Sequence, residues 1–490
     1  MIYLIAGLYA VLALVLAWVS GGAVWGDEVY SLAPIQGTWG ELMSCLRLDS
    51  HPPLFFVLEK VWYGVFGGEV FAMKSFSIVP TVLTMVLGGV FLKKEVSSRA
   101  SLLYMLAFFA SENILLYSIE IRMYTWALFF VTMSGVCAWY LISRGKWVWA
   151  ALFLLSAAAS AYTHYYAGIV VGIGYVLMWV YTVKYARGNE VKLGVIGVCA
   201  VVVYMPWIGI AVESFEFFSK DFWIPPLTGM YIVGWGEFVF KAGRWSAGCI
   251  LCGLFIGMCW SFFVRKEKQK IEWFGMSGVL CAVILVLVGL GLSLLIRPLF
   301  YNRYLLPVCG LIWMFFGIEG GMIKRKWVYR VLCGVLVCIG IVTSSITYAK
   351  EKKDGEEFAR FHTYVTERLG AGDIFLTSPG DKGNLETMSG MTAYLFKGHA
   401  YTYELEGMFK NLIPQYGRML GSPSFSYRSL SGEEFAGRRA WIIVSERLGS
   451  GAPNGYQLPA AAEAEWCGKF GWLFYKFDLY VSENPSAFAQ

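Results

Sequence analysis

The sequence predicts a polytopic α-helical membrane protein of about eleven spans, followed by a small C-terminal α/β domain. Three observations carry that expectation. Of the 490 residues, 57% are hydrophobic and only 15% charged, and the mean hydropathy is +0.57; soluble domains carry roughly 25% charged residues. The apolar residues fall into runs of membrane-crossing length. Past Lys350 the composition turns abruptly soluble, with 15 Lys/Arg against 17 Asp/Glu, leaving 25 against 17 in the first 349 residues. An ordinary cytosolic enzyme, a disordered chain and a secreted disulfide scaffold are excluded. The basic surplus sits in short clusters between apolar runs, so it is not a nucleic-acid footprint.

Candidate spans are 2–24, 70–92, 100–118, 123–142, 147–163, 166–183, 193–212, 246–264, 272–295, 300–320 and 328–347. Between them, Lys93, Lys94 and Arg99 share one side with Arg144 and Lys146, and with Lys184, Arg187 and Lys192. Arg265, Lys266, Lys268 and Lys270 join them, as do Lys324, Arg325, Lys326 and Arg330. Basic short loops mark the cytoplasmic face. The expected protein is therefore an integral plasma-membrane protein with its N-terminus cytoplasmic and its C-terminus extracytoplasmic. The first run lacks a basic leader and reads as an uncleaved anchor. Leu54–Gly67 is apolar but short and contains Glu59 and Lys60; counting it as a span would invert every later loop, so it is expected as a juxtamembrane helix. Two domains result: residues 1–349 in the membrane, with a first outer loop at 25–69, and the soluble outer residues 350–490.

In the latter, a helix is expected at 355–369 and strands at 373–377, 399–403, 441–445 and 475–481. Most of the eleven cysteines lie within apolar runs as small hydrophobes. Cys249 and Cys252 have no second pair or His beside them, and only Cys45 and Cys467 lie clearly outside the runs, where a disulfide is conceivable.

The polar residues left at the outer ends of the spans are the informative ones, because ionisable groups there can meet over a cavity between helices. They are Asp27 and Glu28 after the first run, Arg47, Asp49 and His51 before Pro52–Pro53–Leu54, and Glu120, Arg122 and Tyr124. His164, Tyr165 and Tyr166 follow, and then Arg297, Tyr301, Asn302, Arg303 and Tyr304 before Leu305–Leu306–Pro307.

Four features carry a resemblance: D-E at Asp27–Glu28, H-P-P-L at His51–Leu54, E-x-R-x-Y at Glu120–Tyr124 and R-Y-L-L-P at Arg303–Pro307. Over roughly residues 1–350 the chain resembles the glycosyltransferase C superfamily. More narrowly, it resembles the family-39-type, dolichyl-phosphate-mannose–protein mannosyltransferase-like group, which includes bacterial aminoarabinose transferases. The resemblance implies a transferase that moves a sugar from a polyprenyl-phosphate donor to a hydroxyl of an envelope glycan, lipid or protein on the outer face. It implies that Asp27 is the general base, with Glu28 beside it in the catalytic motif.

The residues fit that chemistry on their own terms. Inverting transfer needs one carboxylate at the acceptor oxygen. A lipid phosphate departs without a proton but needs positive charge to hold it, ideally an Arg fork. Arg303 is the first choice for that role, then Arg122, with Arg297 behind them and Tyr304 alongside. His51, Glu120, Tyr124, His164 and Tyr165 are the candidates for acceptor or sugar binding. Each has a plainer reading: a solvated loop start for Asp27–Glu28, a local ion pair for Glu120–Arg122, interface anchors for Arg303 and Tyr304, and an aromatic belt for His164–Tyr166.

No cofactor is expected to be required. Four scattered histidines give no metal-ligand spacing, although Asp27, Glu28 and Glu120 could converge on Mg²⁺ or Mn²⁺. Two other functions compete: a transporter or flippase of a lipid-linked sugar, which would place polar groups at mid-membrane, and a non-catalytic envelope anchor.

Overall fold

The computed structural model describes residues 1–490 except 186–187, 219–223, 225–226, 378–381, 403–408, 426–428, 431–434, 436, 446–457, 459–462, 474 and 489–490. Of the expected features, Arg187 and Tyr403 lie outside the described residues.

The first run forms α1 (Ile2–Val19) and stops short of the expected residue 24, because Gly21 takes a left-handed φ of +59°. Short helices follow: α2 (Gly26–Leu32), α3 (Trp39–Leu46) and α4 (Leu54–Phe66). α3 is started by a capping box in which Thr38 and Glu41 satisfy one another's backbone N–H groups. Next come α5 (Val70–Glu95), α6 (Ser98–Ala110) and α7 (Glu112–Ser118). The expected straight span 100–118 is in fact this last pair, bent by 71°. Ser111, between them, adopts an extended conformation and cannot propagate the helix.

The bundle continues with α8 (Tyr124–Arg144), α9 (Trp147–Thr163), α10 (Tyr165–Tyr185) and α11 (Glu190–Phe218). After these come α12 (Gly229–Phe240), α13 (Trp245–Val264) and α14 (Lys270–Leu295). A 3₁₀ turn at Asn302–Val308 leads into α15 (Cys309–Gly321), and α16 (Lys326–Thr366) follows. α12 was not expected from the sequence. It is tied to α7 by the Asn113 side-chain amide, which donates to Phe238 O at 2.7 Å.

Among the described residues nine helices are long and apolar enough to cross a membrane, and the bent pair makes a tenth. The eleventh expected span, Trp147–Thr163, is an apolar helix of 17 residues. The chain is an integral membrane protein. Its centre is α15, buried from Cys309 to Gly320. Glycines let its neighbours approach closely: a Cβ on Gly317 would sit 2.8 Å from Ala100 O of α6, and one on Gly321 2.8 Å from Ala100 Cβ. The mount that follows Arg303 is therefore rigid.

The expected separate helix at 355–369 is instead the end of α16, which runs unbroken from the bundle towards the sheet. There the chain forms β1 (Ile374–Thr377), α17 (Lys382–Leu395), β2 (Ala400–Thr402), α18 (Phe409–Met419) and β3 (Ser424–Phe425). It ends with β4 (Ala440–Ser445), β5 (Glu465–Phe470) and β6 (Phe477–Ser482). The strand order is β3-β2-β1-β4-β6-β5. The first four strands are parallel, and β6 is antiparallel to both β4 and β5. β3 and β5 escaped the sequence reading: one has two residues, and the other is a polar edge strand. All eleven cysteines are free, and Cys45 donates to Gln415 rather than bonding to Cys467.

Candidate active site

The 3₁₀ turn that carries Arg303 delivers it to the N-terminal turn of α2. Its guanidinium Nη1 meets Asp27 Oδ2 at 2.7 Å, and both side chains are largely buried. The Arg303 guanidinium also lies over Trp25, Tyr124 and Tyr301, with its carbon 5.2 to 5.8 Å from the ring centroids. Arg122 approaches from the other side, donating to Asp27 O at 2.9 Å and to Ser31 Oγ at 3.2 Å. Burial opposes ionisation of Asp27, but Arg303 and Arg122 outweigh it and hold its carboxyl below the usual value.

Nη2 of Arg122 meets His51 Nε2 at 3.3 Å. A guanidinium only donates, so Nε2 accepts and the ring proton sits on Nδ1, where Asp49 Oδ1 receives it at 2.7 Å. Burial holds the His51 pKa down despite Asp49. His164 lies beside it, with ring centroids 6.1 Å apart, and faces Tyr124 and Tyr304 at 5.5 and 5.1 Å. Its Nδ1 accepts the Tyr166 N–H. Burial, then the positive groups around it, push its pKa well down. Tyr304 stacks on Tyr166 at 4.8 Å.

Glu28 lies beside Asp27 in sequence but points elsewhere. Its two oxygens accept the N–H groups of Ile121 at 3.0 Å and Trp25 at 3.1 Å. It thus ties the start of α2 to the 119–122 segment that presents Glu120 and Arg122. Glu120 has a buried oxygen with no hydrogen-bond partner among the described residues. Burial, then the neighbouring Glu28, push its pKa up to about 8. The Tyr124 hydroxyl is likewise buried and unpartnered.

The structure thus brings together Asp27, Arg303, Arg122, His51, Glu120, Tyr124, His164 and Tyr304. Two expected residues fall outside the cluster. Tyr165 turns its hydroxyl to Trp207 at 3.4 Å, and Arg297 is half-buried in the segment after α14.

Other members were missed. Lys74 is buried on α5, donating to Ser20 Oγ at 2.7 Å, and its charge bears on Glu28. Glu59 is fully buried with neither oxygen partnered among the described residues, and burial raises its pKa well above the usual value. The C-terminal region braces the Asp27 loop: Tyr475 Oη accepts the Gly26 N–H at 2.6 Å, and the Trp472 indole donates to Val24 O at 3.0 Å. For Glu59 and Lys74 the available signal was a charge inside an apolar run; for Trp472 and Tyr475 there was none.

No three His, Cys, Asp or Glu side chains among the described residues converge as metal ligands. Asp27 Oδ2 and both Glu28 oxygens are committed to a guanidinium and to amide hydrogens, while one Glu120 oxygen has no partner among the described residues.

The architecture is the glycosyltransferase C fold: a membrane helix bundle with a C-terminal sheet region braced against its first polar loop. The crystal structure of ArnT from Cupriavidus metallidurans in the apo state matches it with a TM-score of 0.65, covering 99% of this chain and 98% of that one at 12% identity. The same protein bound to undecaprenyl phosphate matches with a TM-score of 0.63, covering 96% and 97%, again at 12% identity. At that identity the likeness is one of fold. No protein-family profile matches the chain, and no curated protein matches its sequence.

Proposed function

We propose that this protein is a membrane glycosyltransferase that uses a polyprenyl-phosphate-linked sugar donor, with Asp27 as general base of an inverting transfer. The observation that carries the proposal is the buried Asp27–Arg303 pair, joined across 276 positions of sequence and flanked by Arg122. It lies in a fold shared with a protein whose crystal structure holds undecaprenyl phosphate.

The acceptor oxygen attacks the anomeric carbon as its proton passes to the Asp27 carboxylate. The bond from that carbon to the phosphate oxygen breaks, and the lipid phosphate leaves as an anion held by Arg303, with Arg122 beside it. The incoming phosphate competes with Asp27 for Arg303. The carboxylate it frees loses the charge that had depressed its basicity, so donor binding prepares the base.

Glu28 positions both partners through Trp25 and Ile121. Neutral Glu120, Tyr124 and His164 are suited to hydrogen-bond a sugar, and neutral His51 holds Arg122. The acceptor is a hydroxyl of an envelope glycan, lipid or protein on the extracytoplasmic face, the face opposite the basic loops.

A transport path would need polar groups at mid-span. Among the described residues, the buried charged side chains Lys74, Glu272, Arg303 and Glu319 of the membrane helices sit near helix ends, and Glu351 lies on α16 beyond its apolar run at 328–347, which favours chemistry at one face. The test is binding of undecaprenyl phosphate by the purified protein, with transfer from a labelled lipid-linked sugar in membranes. Loss of binding on Arg303→Gln supports the reading; a wild-type protein that binds no polyprenyl phosphate refutes it.

A further inference from the structure

A second binding feature lies away from this site. Between α8, α10, α14 and α15 is a cavity of about 290 Å³, lined mainly by apolar groups. Along α10 its lining runs from Val170 to Tyr181 and along α14 from Lys270 to Cys281. At ~1.5 Å rise per residue each wall is about 16 Å long, the scale of an extended acyl-chain segment. Gly174 opens the α10 wall, where an added Cβ would meet only Cys281 Sγ, at 3.9 Å, while Gly275 and Gly278, also in the lining, seat α14 closely against α15.

The slot is separate from the transferase site. On α10 its lining begins at Val170, four positions beyond Tyr166, which is stacked on Tyr304. Its other end is at the basic loops, where Ser143 lies next to Arg144 and Tyr181, Lys270 and Trp273 complete the mouth. Trp273 is 52% exposed, as amphipathic aromatics are at headgroup level.

We propose that this slot binds one acyl chain of an anionic phospholipid, with the headgroup at Lys270, in the leaflet beside the basic loops. An apolar cavity between membrane helices is filled by hydrocarbon rather than water. Basic mouths of such pockets select anionic headgroups, and Lys270 at this mouth closes a loop that also carries Lys266 and Lys268. The assignment does not depend on the transferase reading.

The test uses full-length protein, delipidated in detergent and titrated with dioleoylphosphatidylglycerol or dioleoylphosphatidylcholine. Bound lipid is counted by native mass spectrometry and Tm is followed in parallel. The expected result is one phosphatidylglycerol per chain, bound about tenfold more tightly than phosphatidylcholine. Gly174→Leu, which fills the slot, should weaken that binding about tenfold or more and abolish the lipid-dependent rise in Tm. Ser277→Leu, on the α14 wall, must do the same, so a folding defect peculiar to one variant does not decide the matter. Lys270→Gln should reduce phosphatidylglycerol to the affinity of phosphatidylcholine. Equal retention by wild type and both filled variants overturns the proposal, as does a wild type that prefers neither lipid. Undecaprenyl phosphate competing for the slot and lost with Gly174→Leu would overturn the choice of ligand.

Discussion

The protein buries charge at both ends of its helix bundle, and the two clusters are built differently. At the basic end Arg265 pairs with Glu272 and, at 2.8 Å, with Glu319, joining the start of α14 to the end of α15. At the other end Asp27, Arg303, Arg122, His51 and Asp49 are drawn from four separate segments. Around them stand polar groups without a hydrogen-bond partner among the described residues: a Glu120 oxygen, the Tyr124 hydroxyl and both oxygens of Glu59. The basic-end cluster also leaves one oxygen, on Glu319, unpartnered, but its charges serve one helix junction. Burying polar groups without partners costs free energy. A site that repeats this cost at several residues facing one cation pair is arranged for a ligand, whereas a single Arg between two helix ends is a fastener.

Variants at the two ends should behave differently. The largest effect is expected from Arg303→Ala. It leaves Asp27 buried and unpaired, at a cost of about 3–5 kcal/mol in stability, and removes the phosphate grip. Stability to denaturant and undecaprenyl phosphate binding should both collapse, and Arg303→Lys should restore stability more than binding. Arg265→Met at the other end should lower Tm by a similar mechanism yet leave the transfer rate per folded molecule unchanged. A lost rate there would mean that the two ends are coupled.

Glu28→Ala should be intermediate. It orphans the Trp25 and Ile121 amides at about 1–3 kcal/mol and lowers kcat through misplacement of Asp27 and Arg122. Glu28→Gln keeps one acceptor oxygen and should recover part of that loss, with KM for the donor little changed.

The smallest effect is on pH dependence. Glu120 has a folded pKa of about 8, above its usual 4.5, so the folded protein holds this proton more tightly than the unfolded chain does. Its contribution to stability is complete below pH 4.5 and is lost as pH rises through 8. Tm should therefore fall across that window, and Glu120→Gln should flatten the fall.

Much of this organisation was legible in the sequence, for identifiable reasons. Hydropathy located the spans because lipid demands long apolar helices whatever their packing. The motifs holding Asp27, His51, Arg122 and Arg303 were visible because charged residues at span ends are conspicuous in a greasy chain. What stayed hidden depends on backbone detail or distant contacts. Hydropathy is blind to the 71° bend at Ser111, because both halves are equally apolar. It gave α16 a boundary at residue 350 where the helix simply continues. The adjacency of Asp27 and Glu28 suggested a shared task, but successive helical residues point in different directions, and Glu28 faces backbone amides instead. The brace from Trp472 and Tyr475 spans more than 440 positions, beyond the reach of any local pattern.

The proposed base is the carboxylate held by Arg303. Asp27→Asn preserves shape and an acceptor oxygen while removing the negative charge. In membranes supplied with labelled lipid-linked sugar, this variant should lose transfer about 10²–10⁴-fold, with undecaprenyl phosphate still bound and Tm within a few degrees of wild type. Transfer at the wild-type rate by a folded Asp27→Asn protein would contradict it.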